Sequence, residues 1–315
     1  RQRHDRLSLL QLEVVRRQIL TGIEGSLKEP QALAPQAVRR ALAPFERDDV
    51  RYVPTMEEEI EMYKNVTIEQ IREFYADFIG GQAGELSVVG DFDDEKIKQQ
   101  VLEIVGDWKA KMPYVRFDRA AVTNVAGGVE RIKTPDKSNA MLYGSMQFNL
   151  DDESPAFAAL EMGNYVLGGG SLSSRLADRV RQQEGLSYGI ASGVTGRHRD
   201  TRTDFTLYAI TNPQNVDRLL EVIAEEIKLL REKGVTPEEL ARAKDSYLQG
   251  ERVRRAEDSS LASQLLGSMF NGRTLAFNAE QEKRIAALTV EEVNQAIVDL
   301  INLDNLVIGV AGDFK

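Results

Sequence analysis

The residues best suited to chemistry in this 315-residue chain lie in one stretch, LGGGSLSSRLADRVRQQEGLSYGIASG, residues 167–193. Gly168, Gly169 and Gly170 free the backbone to turn sharply after a helix. Ser173 or Ser174 can cap the helix that follows, which carries Arg175, Arg179 and Arg181 and stops at Gly185. The chain then returns as a strand containing Tyr188, seven residues after Arg181. A helix–turn–strand corner of this kind can bring both side chains to one place. Arginine offers a fixed fork of donors, and tyrosine a phenol that stays protonated near neutral pH. Together they could hold a carbonyl oxygen, or the negative charge that develops on one. On residue types alone a plainer alternative stays open: Arg181 pairs with a surface carboxylate and Tyr188 sits at the edge of a core.

Other chemistry is missing. The chain has two histidines, His4 and His198, and no cysteine. Neither histidine forms H-E-x-x-H or H-x-x-E-H, which need two histidines on one helical face to bind zinc. A lone histidine in a polar loop is expected to be solvated. No G-x-S-x-G elbow supports a triad using His198, and the Gly168–Gly170 run has neither phosphate-loop nor dinucleotide-binding spacing. Asp91, Asp93 and Asp94 read as a cap for the next helix, through Asp93 or Asp94, before they read as a cation site. Glu57–Glu59 reads as a helix start or a solvated face.

Composition narrows the partners. Hydrophobic residues make up 42% and charged residues 29%, enough for a real core in about two domains. A formal net charge of −10 argues against nucleic acid and anionic membrane. No apolar run approaches the roughly 20 residues needed to span a bilayer. The chain opens on RQRHDRLSLL without a methionine or a signal peptide, so it is expected to be a piece of something longer.

The elements that must position the arginine–tyrosine corner can be followed in order. Residues 84–90 and 128–134 read as strands, with a helix from Asp93 to about Gly106 between them. NAMLYGSMQFNL, residues 139–150, alternates as a strand. Ser154 starts a helix that runs to the glycines, and Ser173–Gln183 forms the next. LSYGIASGVTG and TRTDFTLYAIT suit an antiparallel pair. Pro213 opens a long helix, Thr236 with Glu239 forms a capping box for another, and helix continues to Leu300. The order implies an α+β fold in which helices cover an antiparallel sheet.

Two stretches resemble each other. VTIEQIREFYADFIGGQAGELSVVGDF (66–92) aligns without a gap on LTVEEVNQAIVDLINLDNLVIGVAGDF (288–314), an offset of 289 − 67 = 222. Identities include Thr67/Thr289, Asp77/Asp299, Val88/Val310, Gly90/Gly312 and Phe92/Phe314. Each copy reads as a capping box, an amphipathic helix and a short apolar strand ending in Gly-Asp-Phe, which points to duplication. The first copy has too little chain before it to hold a matching front half. Residues 1–86 therefore read as the back half of a truncated, mainly helical unit, and 87–315 as a complete second unit. Val88–Asp91 and Val307–Ala311 are both expected to be strands in its sheet.

The VVGDFD segment, the LGGGSLSSRL turn, RQQEGLSYGI and VTPEELARAKDSYL (235–248) closely resemble the C-terminal domain of the M16 metallopeptidases, the pitrilysin, insulinase and processing-peptidase group. The resemblance covers most of the second unit, and VRYVPTMEEEI (50–60) is similar to bacterial two-half members whose second half has lost the metal. It implies that Arg181 and Tyr188 match a pair that reaches substrate near the zinc, and that Gly168, Gly169 and Gly170 correspond to a substrate-contacting loop. The H-x-x-E-H motif is absent, and Glu13 and Glu24 earn no ligand role without two histidines. The resemblance thus implies a non-catalytic, peptide-binding portion of a zinc peptidase, inactive alone, with zinc in an upstream part of the same protein or on a partner subunit. Expected partners are a peptide or unfolded polypeptide, the remaining half or a zinc-bearing M16 subunit, and a homodimer of the fragment. By resemblance the compartment is the bacterial periplasm ahead of the cytoplasm. The alternatives are a structural subunit of M16 descent that cleaves nothing, and a free peptide-binding module.

Overall fold

The computed structural model describes residues 8–170 and 173–314. The elements, in order, are α1 (Leu9–Ser26), α2 (Pro30–Ala41), α3 (Met56–Asn65), α4 (Ile68–Phe78), α5 (Asp94–Val105), β1 (Gly128–Lys133), β2 (Ala140–Phe148), α6 (Pro155–Asn164), α7 (Arg175–Ala177), β3 (Ser187–Arg197), β4 (Arg202–Thr211), α8 (Val216–Lys233), α9 (Pro237–Arg255), α10 (Asp258–Phe270), α11 (Leu275–Ala287), α12 (Val290–Leu300) and β5 (Val307–Gly312). Local chemistry explains most helix starts. Thr55 with Glu58, Thr67 with Gln70 and Thr289 with Glu292 form capping boxes, satisfying backbone N–H groups that a first helical turn leaves unpaired. Asp93 caps α5 by accepting from the Lys96 N–H, so the nearby aspartates do serve the helix start.

The chain folds into two compact units, each drawn from several stretches. One comprises residues 8–25, Thr55–Phe117 and Val253–Leu275. Among its described residues it is helical, with few buried apolar side chains (Met56, Ile60 and Ile68) and a stack of Tyr75 on Trp108 at 5.3 Å. The other comprises Ser26–Pro54, Asp118–Arg252 and residues 276–314.

The second unit holds a five-stranded sheet in the order β1-β5-β2-β4-β3. It is antiparallel except for the parallel pair β1–β5. Alternation along β2 and β4 divides the two faces of the sheet. Leu142, Met146, Phe205 and Leu207 point to one face, where they meet Leu160, Leu219, Ile223 and Ile297 in the main core, all at most 1% exposed. Side chains buried this fully contribute about 1.5–3 kcal/mol each. The other face carries Tyr143, Ser145, Asp204 and Thr206 and is covered in part by α2, through Ala34 and Val38 against β5. Gly309 permits that approach, since a Cβ there would lie 2.5 Å from the Ala34 carbonyl oxygen.

One expected element is absent. Residues 84–90 and the expected Val88–Asp91 strand form no strand, and Leu86 and Val88 are 54% and 40% exposed. A strand requires a neighbour to satisfy its backbone groups. In the sheet of the second unit, the position between β1 and β2 belongs to β5, the other copy of the same repeat.

Candidate functional site

α6 passes directly into a wider helical turn, Tyr165–Gly169, which contains the first two glycines. Gly168 is buried, and a Cβ there would lie 2.3 Å from Ser192 Oγ and 2.8 Å from the Ser192 backbone nitrogen. It therefore lets the end of the helix lie against β3. The contact is locked nearby, where Ser192 Oγ donates to Asn164 Oδ1 at 2.6 Å. Gly169 is exposed and Gly170 half-exposed, so these two are the glycines available to a ligand. A cavity of about 160 Å³ lies elsewhere in this unit, beside Asp152 and Tyr247, whereas one of about 440 Å³ is lined by Gly170, Ser173, Asp178 and Arg242.

Ser174 caps the next segment, accepting from the Ala177 N–H, and α7 continues as a wide turn from Asp178 to Gln183. The three arginines of this segment differ in what they hold. Arg175 donates to both carboxylate oxygens of Glu239, at 2.7 and 2.6 Å, and to the Gly234 carbonyl. Burial raises the Glu239 carboxyl, but the Arg175 pair and the Thr236 N–H outweigh it, and the group is held below the usual carboxylate range. Arg179 faces Glu184, Glu225 and Glu226 at 3.0, 3.3 and 3.7 Å. Burial pushes the Glu226 carboxyl up, against the pull of Arg175 and Arg179. Arg181 is exposed and has no hydrogen-bond or ion-pair partner among the described residues.

Gly185, at φ +63°, ends the helical segment, and β3 begins at Ser187. The pairing with β4 shifts between Ser187 and Gly189, which makes Tyr188 the extra residue of a bulge on an edge strand. Bulges of this kind occur often at sheet edges and next to binding sites. The Tyr188 side chain lies outside the described residues.

No group of three or more histidine, cysteine, aspartate or glutamate side chains suited to a metal ion occurs among the described residues. With two histidines and no cysteine in the chain, these residues do not fit the zinc site of a peptidase. His198 departs from expectation in a different way. It is half-buried, with Nδ1 3.1 Å from Glu153 and 3.8 Å from Asp152, in place of a solvated loop position. His4 lies outside the described residues.

The second face of the sheet carries a cavity that sequence reasoning missed. Its volume is about 510 Å³, and Tyr143, Ser145, Gln147, Thr195, Asp204 and Thr206 form its floor. Arg39, Arg51, Arg119, Arg197 and Arg202 also line it. The polar half of the β2 alternation was visible in the sequence. The arginines come from segments far apart along the chain, and no spacing rule links them.

The comparisons with known proteins follow the same line. The family model described as "Peptidase M16 inactive domain" matches residues 65–247. A protein of Helicobacter pylori named "Non-peptidase homolog YmxG" is 25% identical over 186 residues, 59% of this chain and 42% of that protein. A protein of Streptomyces coelicolor named an uncharacterized zinc protease is 27% identical over 243 residues, 75% of this chain and 51% of that protein. The chain thus spans about half the length, or less, of these curated relatives. A crystal structure of a peptidase M16 inactive domain from Pseudomonas fluorescens superposes with a TM-score of 0.80 at 23% identity, covering 98% of this chain and 72% of that one. The fold, the missing metal ligands and a family match across more than half of the sequence converge: this chain belongs to the peptidase M16 inactive-domain family.

Proposed function

We propose that the chain holds peptide substrate for an M16 zinc peptidase whose metal lies elsewhere, upstream in the same polypeptide or on a partner subunit. The observation that carries this reading is the state of Arg181: alone of the three arginines on its segment, it is exposed and without a partner among the described residues. Its guanidinium is free to donate to a carbonyl oxygen. The neighbouring β3 is an edge strand, and an extended peptide can add to such an edge through main-chain hydrogen bonds. Tyr188 would supply a second donor, and Gly169 and Gly170 backbone that a substrate can approach closely. On this reading residues 1–86 are the back half of one repeat and 87–315 a whole one, the partners are polypeptide substrate and a zinc-bearing half, and the bacterial periplasm is the compartment. The chemistry at the metal, polarising water and carbonyl, belongs to that other half.

The test is turnover in the intact peptidase or the reconstituted pair. Tyr188→Phe and Arg181→Gln should each lower kcat about 10²–10³-fold, the usual cost of losing a donor to a developing oxyanion, with the thermal midpoint unchanged. Full turnover in both variants would remove the assignment. A second reading, a scaffold of M16 descent that cleaves nothing, is favoured by the name of the Helicobacter pylori relative. It requires that the rest of the protein and its partners lack H-x-x-E-H.

A further inference from the structure

We propose that the cavity on the second face of the sheet is a binding site for a carboxylate carried by a polypeptide, held by Arg39, Arg119 and Tyr143. The chain as a whole carries −10, yet five arginines and a single carboxylate line this cavity. Three of the arginines are engaged. Arg51 is held by Asp49 at 2.6 and 2.9 Å and lies over the Phe45 ring at 3.8 Å. Arg202 takes Asp204 through both ends of its fork, with contacts from 2.6 to 3.1 Å. Arg197 shares the same aspartate at 3.4 Å. One carboxylate therefore serves two guanidiniums, and the side chains of Arg39 and Arg119 have no partner among the described residues.

The unused charged groups all have one sense. Ser145 Oγ donates to the Phe205 carbonyl at 2.8 Å, and Gln147 Oε1 accepts from the Val122 N–H at 2.8 Å. These bonds satisfy the floor and tie the 119–122 segment over it, with a second tie from the Arg119 N–H to Asp200 at 3.0 Å. The groups left over include the two guanidiniums, which only donate, and the Tyr143 and Thr195 hydroxyls, which have no partner among the described residues. Burial pushes the Tyr143 phenol up, and Asp204 adds to this while Arg39 opposes it, so the group keeps its proton and can donate. A pocket whose free charged groups are both donors calls for an anionic ligand that accepts, and an ionised carboxylate is the acceptor-only group of polypeptides. The volume of about 510 Å³ falls in the range of ligand pockets, about 300–1,000 Å³. It therefore has room for the residue bearing the carboxylate as well as for the two oxygens.

The choice of a polypeptide as carrier rests on the proposed function, whereas the carboxylate chemistry does not. Labelled Gly-Ser peptides of three kinds separate the sources: glutamate-containing with an amidated end, neutral with a free C-terminus, and neutral with an amidated end. Fluorescence polarisation with the 315-residue chain reads the affinity. One or both of the carboxylate-bearing peptides should bind, and which of them binds identifies a side-chain or a terminal carboxylate as the ligand. The neutral amidated peptide should bind at least tenfold more weakly than the better of these two. Arg39→Gln and Arg119→Gln should each weaken binding about tenfold, the effect of one lost charge-assisted hydrogen bond. Tyr143→Phe should weaken it less. Both arginines are exposed, so thermal midpoints should hold and a weaker signal cannot be unfolding. Equal binding of the neutral amidated peptide, or unaltered affinity in both arginine variants, would overturn the proposal. So would displacement by inorganic phosphate at lower concentration than by acetate. Loss of turnover on Tyr188→Phe with no peptide bound here would remove this site alone and leave the proposed function standing.

Discussion

The two copies of the repeat, residues 66–92 and 288–314, begin alike and end differently. Thr67 and Thr289 each accept from the backbone three residues on, Gln70 and Glu292 reach back, and both helices form with nearly the same extent, α4 and α12. Beyond the helix the copies part. Val293, Ala296 and Ile297 of α12 are buried, and every residue of β5 is buried. At the matching positions of the first copy, Phe74 is 58% exposed and Leu86 54%. No strand forms at 86–90. A helix satisfies its backbone within itself and needs only its cap and its periodicity, whereas a strand depends on neighbours supplied by distant chain. β5 has β1 and β2 on its two sides; residues 86–90 have neither.

The strongest way to break this contrast is a charge in each strand-like segment. Val310→Asp places an unpaired carboxylate at a position with 0% exposure and should cost more than about 4 kcal/mol, enough to abolish folding. Val88→Asp, at 40% exposure, should shift stability by no more than about 0.5 kcal/mol. Urea unfolding followed by circular dichroism compares the two. Equal losses would mean that the first copy is buried in solution and that the contrast is wrong.

The helices allow a milder comparison. Ile297→Ala removes a fully buried side chain and should cost about 2–5 kcal/mol. Tyr75 occupies the corresponding position in α4, where it stacks on Trp108 at 5.3 Å and 24°. Tyr75→Ala should lose about 0.5–1.5 kcal/mol of ring contact. Paired calorimetric midpoints would show whether the sheet or the local stack sets the larger share.

A fourth capping box sharpens the comparison by adding a tertiary partner. Thr236 and Glu239 start α9 as the other boxes start theirs, but Glu239 is also gripped by Arg175. Glu239→Gln should cost about 1–3 kcal/mol at neutral pH, the range for hydrogen bonds to a charged group. The folded-state carboxyl is held below its unfolded value, so the unfolded chain takes up the proton first as the solution is acidified. The pair's contribution is therefore complete above the ordinary glutamate range, about 4.3, and fades as pH falls through the depressed folded value. Stability differences between the variant and the parent, measured from neutral to acid, should shrink in that window. A difference that grew in acid would contradict the ion pair.

The smallest effect is expected where the two copies agree. Thr67→Ala and Thr289→Ala should each cost about 1 kcal/mol, the usual value of a helix N-cap. Amide exchange at the first turns of α4 and α12 would report it. Protection unchanged by Thr67→Ala would show that α4 does not rely on its cap and that even the shared beginning differs.

Much of the fold was legible because its signals are local. Capping boxes, the Ser154 start, the hairpin of β3 and β4 and the long helices after Pro213 depend on residues within a turn or two of each other. The resemblance carried by LGGGSLSSRL and RQQEGLSYGI reached the family for the same reason, since its motifs are contiguous. The Arg181–Tyr188 corner was legible as a helix, a turn and a strand. That Arg175 and Arg179 would be taken by Glu239 and by Glu184, Glu225 and Glu226, leaving Arg181 free among the described residues, was not.

By itself, then, the sequence determined the helices and their starts, the family, and the lack of a zinc motif. The tertiary structure alone decided which copy of the repeat became a strand, and that Gly168 serves packing against Ser192. It also decided that Arg39, Arg119 and Tyr143 line one cavity on one face of the sheet. Each of these outcomes depends on residues far apart along the chain. A local pattern can state what a segment is able to form, but the neighbours that satisfy its backbone, fill its contacts or share its charge are supplied only when the rest of the chain closes around it.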